Sequence, residues 1–158
     1  MHKKECATKL FKLKKIHKAC RLYQRINEYF NFGDLDTSAK DEDKETEEYK
    51  AIRSELEVVK RQCFLNVAIC KYKQEQYQSC ASVAKEVVEM DPESIKGYYW
   101  LAKGHFNVKN YKEAVKAIES AYKLDPNNKE VEEEYKKMKS EYQRFIASEQ
   151  KKYSKMFT

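Results

Sequence analysis

Apolar residues along most of the chain recur three and four positions apart, which is the spacing of one face of an α-helix. Tyr98, Leu101 and Ala102 form one such group, and a second group occupies positions 111–118 after a polar break at Asn110. Only 3 Gly and 2 Pro interrupt the 158 residues, too few for the frequent turns of a β-sandwich or barrel. The pattern therefore predicts an all-α protein.

This helical pattern repeats at an interval of 34 residues. Asp91-Pro92 recurs as Asp125-Pro126, and each proline ends a unit because proline cannot continue a helix. Apolar and small positions recur at the same interval: Phe64 with Tyr98, Val67 with Leu101, Ala68 with Ala102, Tyr77 with Tyr111, and Cys80 with Ala114. Small residues at fixed positions indicate places where two helices touch.

Two full units run from about residue 61 to 128, and a third lies upstream, where Phe11, Ala19, Tyr23 and Ile26 have the same spacing. We predict a single domain with repeat one at about 1–32, an acidic insertion and helix extension at about 33–60, repeats two and three at 61–128, and a capping helix at 129–158. The cap is expected because apolar residues continue at helical spacing beyond Pro126, and a stack of repeats leaves one apolar face open.

A 34-residue helix-turn-helix unit with aromatic, small and proline positions at these places resembles the tetratricopeptide repeat. The resemblance implies an α-solenoid of three such repeats, followed by a long C-terminal capping helix.

Other features resemble the C-terminal co-chaperone domain of large immunophilins, which are peptidyl-prolyl isomerases. These features are the insertion after repeat one, the string 65–70, Lys96-Gly97 at the start of repeat three, and the Lys-x-Tyr-x-x-Met-Phe ending at 151–157. The resemblance implies a cytoplasmic interaction module. Small tetratricopeptide proteins without an isomerase domain share much of the pattern, so the presence of an isomerase domain upstream stays open.

In that family a basic concave groove binds the C-terminal tail of cytosolic heat-shock chaperones, which ends in Glu-Glu-Val-Asp. A terminal Asp offers two carboxylates, which require converging cationic and amide donors. Carried over by position, the resemblance assigns the peptide-carboxylate site to Lys4, Thr8, Asn66, Lys96, Trp100 and Lys103, with Lys12 and Lys73 in supporting positions. The implied partner is the ninety-kilodalton chaperone class, with the seventy-kilodalton class as a second option.

Trp100 departs from the family, which has Arg at this position. An indole supplies neither a charge nor a guanidinium fork, so one bidentate contact is lost. Lys103, one turn further along the same helix, is expected to supply the missing charge. The alternative is a degenerate clamp that binds a different protein partner.

The net charge of +6 is unevenly distributed. Residues 1–33 hold nine Lys or Arg against two Glu, a balance of +7, and residues 33–49 hold eight acids against two Lys, a balance of −6. A basic region without a nucleic-acid-binding motif is weak evidence for nucleic acid, which we do not expect as a partner. The acidic segment is interpreted as a solvated loop; competition with an acidic ligand is the alternative.

The remaining patterns exclude several classes of protein. The sequence shows no Gly-rich phosphate loop and no nucleophile with a paired base, so we expect neither an enzyme active site nor a cofactor in this segment. Five cysteines without a CxxC pair favour reduced thiols over disulfides or a metal site. No apolar run approaches 18 residues, so no membrane span is expected. The Lys-rich C-terminal helix carries a calmodulin contact by resemblance, or is simply a solvated face.

Overall fold

The computed structural model describes residues 2–32 and 47–156, and these ranges contain seven α-helices and no strand. The helices are α1 (His2–Lys12), α2 (Ile16–Phe32), α3 (Glu47–Lys73), α4 (Tyr77–Met90), α5 (Ile95–Asn107), α6 (Tyr111–Leu124) and α7 (Lys129–Met156). The all-α prediction is confirmed. Most of the predicted acidic segment lies outside the described residues. None of the described helices has the length and apolar character needed to cross a bilayer.

The chain divides into two compact units, Met1–Gln76 and Tyr77–Thr158. In the first unit, α2 packs against both α1 and α3. In the second unit, α5 packs against α4 and α6, and α6 packs against α7. Neighbours in sequence are thus neighbours in space within each unit, as expected for short connections.

Three short turns, each following the first helix of a predicted repeat, share one backbone conformation. Lys14, Glu75 and Lys109 each have a φ between 58° and 62°, two residues after one helix ends and two before the next begins. In every case the N–H of this residue bonds to the carbonyl three positions earlier, and the following N–H bonds to the carbonyl five positions earlier. A left-handed residue of this kind is a common way to end a helix. The three positions are 61 and 34 residues apart, the same intervals as in the sequence.

The two Asp-Pro turns are also repeated in detail. The carboxylates of Asp91 and Asp125 each accept a hydrogen bond, at 3.2 Å, from the N–H two residues later. The side chains of Ser94 and Asn128 then accept from the N–H three residues later, at 3.2 and 3.3 Å. Each satisfies one of the unpaired N–H groups at a helix start. The capping helix α7 therefore begins in the same way as α5.

Small residues hold the helices close together in both units. The positions that recur in the sequence, Ala68, Cys80, Ala102 and Ala114, are all fully buried. In the second unit they join an apolar core: Ala102, Ala114, Ala117, Ile118, Ala121, Val131 and Met138. Small side chains allow helix axes to approach, while the larger ones fill the space between the helices.

Helix α7 covers this core with its first half. Val131 and Met138 are buried, and the ring of Tyr135 stacks on Tyr122 with centroids 5.3 Å apart. This matches the predicted capping role. The same apolar stripe continues into the second half of the helix, where Tyr153 and Met156 are 59% and 75% exposed.

Candidate peptide-binding site

In the first unit, α1 presents Lys4 and Thr8 one turn apart on one face. The Lys4 ammonium donates a hydrogen bond to the side-chain carbonyl of Gln62 on α3. Both residues retain some exposure, since Lys4 is half-buried and Gln62 is exposed. The contact fixes where the α1 cation lies relative to α3.

Thr8 is tied into the same unit by two hydrogen bonds. Its hydroxyl donates to the Lys4 carbonyl at 2.9 Å, and it lies 2.9 Å from the hydroxyl of Tyr23 on α2. Because the Thr8 proton goes to the carbonyl, the Tyr23 hydroxyl is the donor in the second bond. Tyr23 is 1% exposed, and burial raises its pKa, so it remains a neutral donor. The sequence had assigned Thr8 to a ligand; the structure shows that it also holds α1 to α2.

On α3, Asn66 is half-buried and lies one turn beyond Gln62 on the same helical face. Lys73 lies two turns further along that face and is exposed, with its ammonium 5.5 Å from the centroid of the Phe11 ring of α1. A lysine over an aromatic face is attracted by the ring quadrupole. Lys12, at the end of α1, is exposed.

The first unit therefore brings four of the predicted residues onto neighbouring helix faces. The faces of α1 and α3 meet at Lys4–Gln62 and again at Lys73–Phe11. Lys4, Thr8 and Asn66 supply ammonium, hydroxyl and amide groups there, and these groups bind carboxylates.

In the second unit, α5 carries Lys96, Trp100 and Lys103 on one face, since they are spaced four and three residues apart. Lys96 is exposed. Trp100 is half-buried, and its ring makes an edge-to-face contact with Tyr99 at 5.5 Å between centroids. Its carbonyl accepts a weak hydrogen bond from the buried Cys80 thiol of α4 at 3.6 Å.

Lys103 is held differently from Lys96. Its ammonium lies 3.2 Å from the Glu134 carboxylate on α7 and 3.3 Å from the Tyr99 hydroxyl. Tyr99 in turn donates to Glu130 at 2.7 Å. Burial lowers the pKa of Lys103, but the Tyr99 and Glu134 partners raise it by more, so that the ammonium is stabilised. Burial and the bond to Glu130 raise the pKa of Tyr99 to about 12.

The expectation that Lys103 offers a replacement charge to a ligand meets this arrangement. The side chains of Lys103 and Glu134 are only 21% and 17% exposed, so their attraction is screened less than at an open surface. The Lys103 charge is already offset within the protein. Sequence reasoning missed Glu134 because the register of α7 against α5 has no local signal, whereas Gln62 could have been found one turn before Asn66 on α3.

Other chemistry was sought in the described part of the chain. No cluster of three or more His, Cys, Asp or Glu side chains with metal-binding geometry occurs among residues 2–32 and 47–156. All five cysteines are free thiols, and four of them are buried.

The comparison with family models gives the class of protein. Residues 95–128, which form the α5–α6 pair, match the tetratricopeptide repeat. The chain thus contains this repeat, and its fold is that of tetratricopeptide domains, as the sequence predicted. Stacked repeats of this kind form extended binding surfaces for other proteins.

Solved structures with the same fold belong to chaperone-related proteins. The C-terminal tetratricopeptide domain of a Plasmodium falciparum FK506-binding protein has a TM-score of 0.76 and 21% identity, covering 92% of this chain and 89% of that one. The first tetratricopeptide domain of Spaghetti, bound to the HSP90 peptide SRMEEVD, has a TM-score of 0.65 and 19% identity, covering 89% and 90%. The second such domain of human RPAP3, in complex with the HSP70 peptide SGPTIEEVD, has a TM-score of 0.62 and 18% identity, covering 87% and 92%. At these identities the likeness establishes the fold.

Proposed function

We propose that this chain is a co-chaperone module that binds the acidic C-terminal tail of heat-shock chaperones, ending in Glu-Glu-Val-Asp. The observation that carries the proposal is the array of Lys4, Thr8 and Asn66 on the adjoining faces of α1 and α3. Both peptides held by the solved relatives end in the same four residues. The second unit contributes the exposed Lys96.

Carboxylate binding by these groups is a matter of charge and hydrogen bonding. A peptide's terminal Asp carries two negative groups, and each accepts several hydrogen bonds. Hydrogen bonds to charged groups are stronger than neutral ones, and ammonium donors on short tethers to the helix provide them. Lys4 is positioned by Gln62 before any ligand arrives, which reduces the entropy lost on binding.

The test is calorimetric titration with a free-acid Met-Glu-Glu-Val-Asp peptide and its C-terminal amide. We expect the amide to bind more weakly and the acid to lose affinity as salt rises. Lys96→Ala should weaken binding by about 1.5–3 kcal/mol, the usual value of a hydrogen bond to a charged group. Lys112→Ala is the matched control, because Lys112 is an exposed lysine on α6. Equal affinity for acid and amide would rule out carboxylate recognition.

A second candidate function is a tetratricopeptide scaffold for a different protein partner. Trp100 favours it, because the α5 face has an indole and an internally paired Lys103 where a strong clamp needs cations. Trp100→Arg distinguishes the two functions. Wild-type binding that Trp100→Arg strengthens by about 1–3 kcal/mol supports the chaperone function with a weakened clamp. Absent wild-type binding that Trp100→Arg creates supports the other partner.

The resemblance to immunophilins extends the proposal. The module acts in the cytoplasm, prefers the ninety-kilodalton chaperone class, and serves an immunophilin-like protein that carries an isomerase domain elsewhere. Titration with SRMEEVD and SGPTIEEVD side by side measures the preference between chaperone classes. The exposed Tyr153 and Met156 near the C-terminal end of α7 provide the apolar contacts for calmodulin, and a pull-down with and without calcium tests this contact.

A further inference from the structure

The α5 face of the second unit carries two lysines with opposite roles. Lys96 and Lys103 are seven residues apart, so they lie on the same side of the helix, about 10 Å apart along its axis. The ring of Trp100 lies between them. Lys96 is exposed, whereas the Lys103 ammonium is held by Glu134 at 3.2 Å and lies 5.1 Å from the Tyr99 ring and 6.0 Å from the Trp100 ring.

The charges around Lys103 cancel one another. Glu134 is bracketed by Lys103 at 3.2 Å and by Lys137 of α7 at 3.8 Å, and Glu130 accepts from the Tyr99 hydroxyl at 2.7 Å. These two carboxylates and two ammonium groups sum to zero. An acidic ligand that approaches this part of α5 therefore meets Lys96 and an aromatic surface, with little further positive charge.

We propose that Glu134 is a specificity-determining residue, which withholds the Lys103 charge from an acidic ligand and leaves Trp100 as a contact surface for an apolar side chain of that ligand. This inference rests on the proposed function, since it concerns the strength with which the same site binds an acidic tail. It predicts that the chain discriminates less strongly between acidic and neutral tails than it would without Glu134.

The experiment compares two free-acid peptides, Met-Glu-Glu-Val-Asp and Met-Gln-Gln-Val-Asp, by calorimetry at low salt. Glu134→Gln keeps the size and hydrogen-bonding capacity of the side chain and removes its charge. We expect it to tighten binding of the Glu-Glu peptide by about three- to ten-fold, as for a half-buried ion pair, with a smaller gain for the Gln-Gln peptide. The gain should shrink as salt rises.

Glu141→Gln is the matched control. Glu141 lies on the same helix and pairs with Arg144, so its substitution changes the net charge equally without releasing Lys103. Lys103→Met completes a double-mutant cycle. It should change affinity by less than about two-fold in the wild type, where Glu134 offsets the charge, and should abolish the gain in the Glu134→Gln background.

Each outcome has a consequence. A gain confined to Glu134→Gln and dependent on Lys103 supports the inference, even where the wild type itself binds no peptide and the proposed function fails. Wild-type binding that depends on Lys96 but is unchanged by Glu134→Gln overturns the inference and leaves the function standing. Equal gains in Glu134→Gln and Glu141→Gln also overturn it, and binding by none of these proteins overturns both. If Glu134→Gln lowers the melting temperature, Lys103→Met alone decides, because a large loss in the wild type contradicts the inference.

Discussion

At the scale of single residues, His105 on α5 is held in an environment that disfavours its charged form. The ring is half-buried, and its Nδ1 atom is buried without a hydrogen-bond partner among the described residues. Burial lowers the pKa of His105 below its usual 6.5, while Glu113 opposes this by raising it. The lowered pKa means that the folded protein binds fewer protons at this site than the unfolded chain does.

His105 should make the protein less stable in mild acid. Its contribution is fully present above pH 6.5 and is lost as the pH falls through the folded-state pKa, by less than about 1.4 kcal/mol per pH unit. Urea denaturation between pH 7.5 and 5 should show a shallower loss of stability for His105→Gln than for the wild type. His17→Gln, at an exposed position on α2, is the control and should keep the wild-type slope. An unchanged slope in His105→Gln would refute the assignment.

At the scale of secondary-structure elements, α4 and α5 approach closely at Gly104. A Cβ atom on Gly104 would lie 2.9 Å from the Ala81 Cβ, 2.9 Å from the Ala81 backbone nitrogen, and 3.0 Å from the Tyr77 carbonyl oxygen. Backbone atoms of a neighbouring helix cannot move aside individually. This contact explains why glycine occupies the interior of a helix, where it is intrinsically unfavourable.

Gly104→Ala should therefore destabilise the protein, although glycine-to-alanine changes inside helices usually stabilise. We expect a loss of about 1–3 kcal/mol in the free energy of unfolding, the typical cost of overpacking. Gly97→Ala is the comparison, because its new Cβ would meet mainly the side chains of Val87 and Val88, which can shift. Denaturant unfolding at pH 7 measures both. Gly104→Ala at least as stable as the wild type would show that α4 and α5 separate without cost.

At the scale of the whole molecule, the stability of the second unit depends on only part of α7. Val131 and Met138 complete the core of that unit, whereas residues beyond Ile146 are mostly exposed. Phe145 marks the change, since it contacts the Tyr111 ring at the start of α6, with centroids 5.3 Å apart, yet is 42% exposed.

Truncation should reveal this division. Removal of residues 147–158 should leave the melting temperature close to that of the wild type, whereas removal of 129–158 should lower it strongly and promote aggregation, because an apolar face becomes exposed. Met138→Ala alone should cost about 2–5 kcal/mol, as for other large-to-small core changes. Thermal unfolding with light scattering measures these effects. A strong effect of the shorter deletion would mean that the end of α7 contributes to stability.

Much of this architecture could be predicted because its signals are local. The 34-residue interval, the small residues at Ala68 and Ala102, and the turns at Asp91 and Asp125 each reflect contacts within one helix pair or hydrogen bonds a few residues apart. Helical periodicity and turn chemistry act over such distances, so a single sequence displays them directly. The same patterning predicted that α7 would cover the last repeat.

The partners of the candidate site depend on the tertiary structure. Lys4 meets Gln62 across 58 residues, and Lys103 meets Glu134 across 31. Which acidic residue of α7 lies beside Lys103 is set by the packing of Val131 and Met138 into the core, and a shift of one turn would present a different carboxylate. The residue types that favour an acidic ligand could thus be read from the sequence, whereas the charge left free to bind it follows from how the helices are aligned.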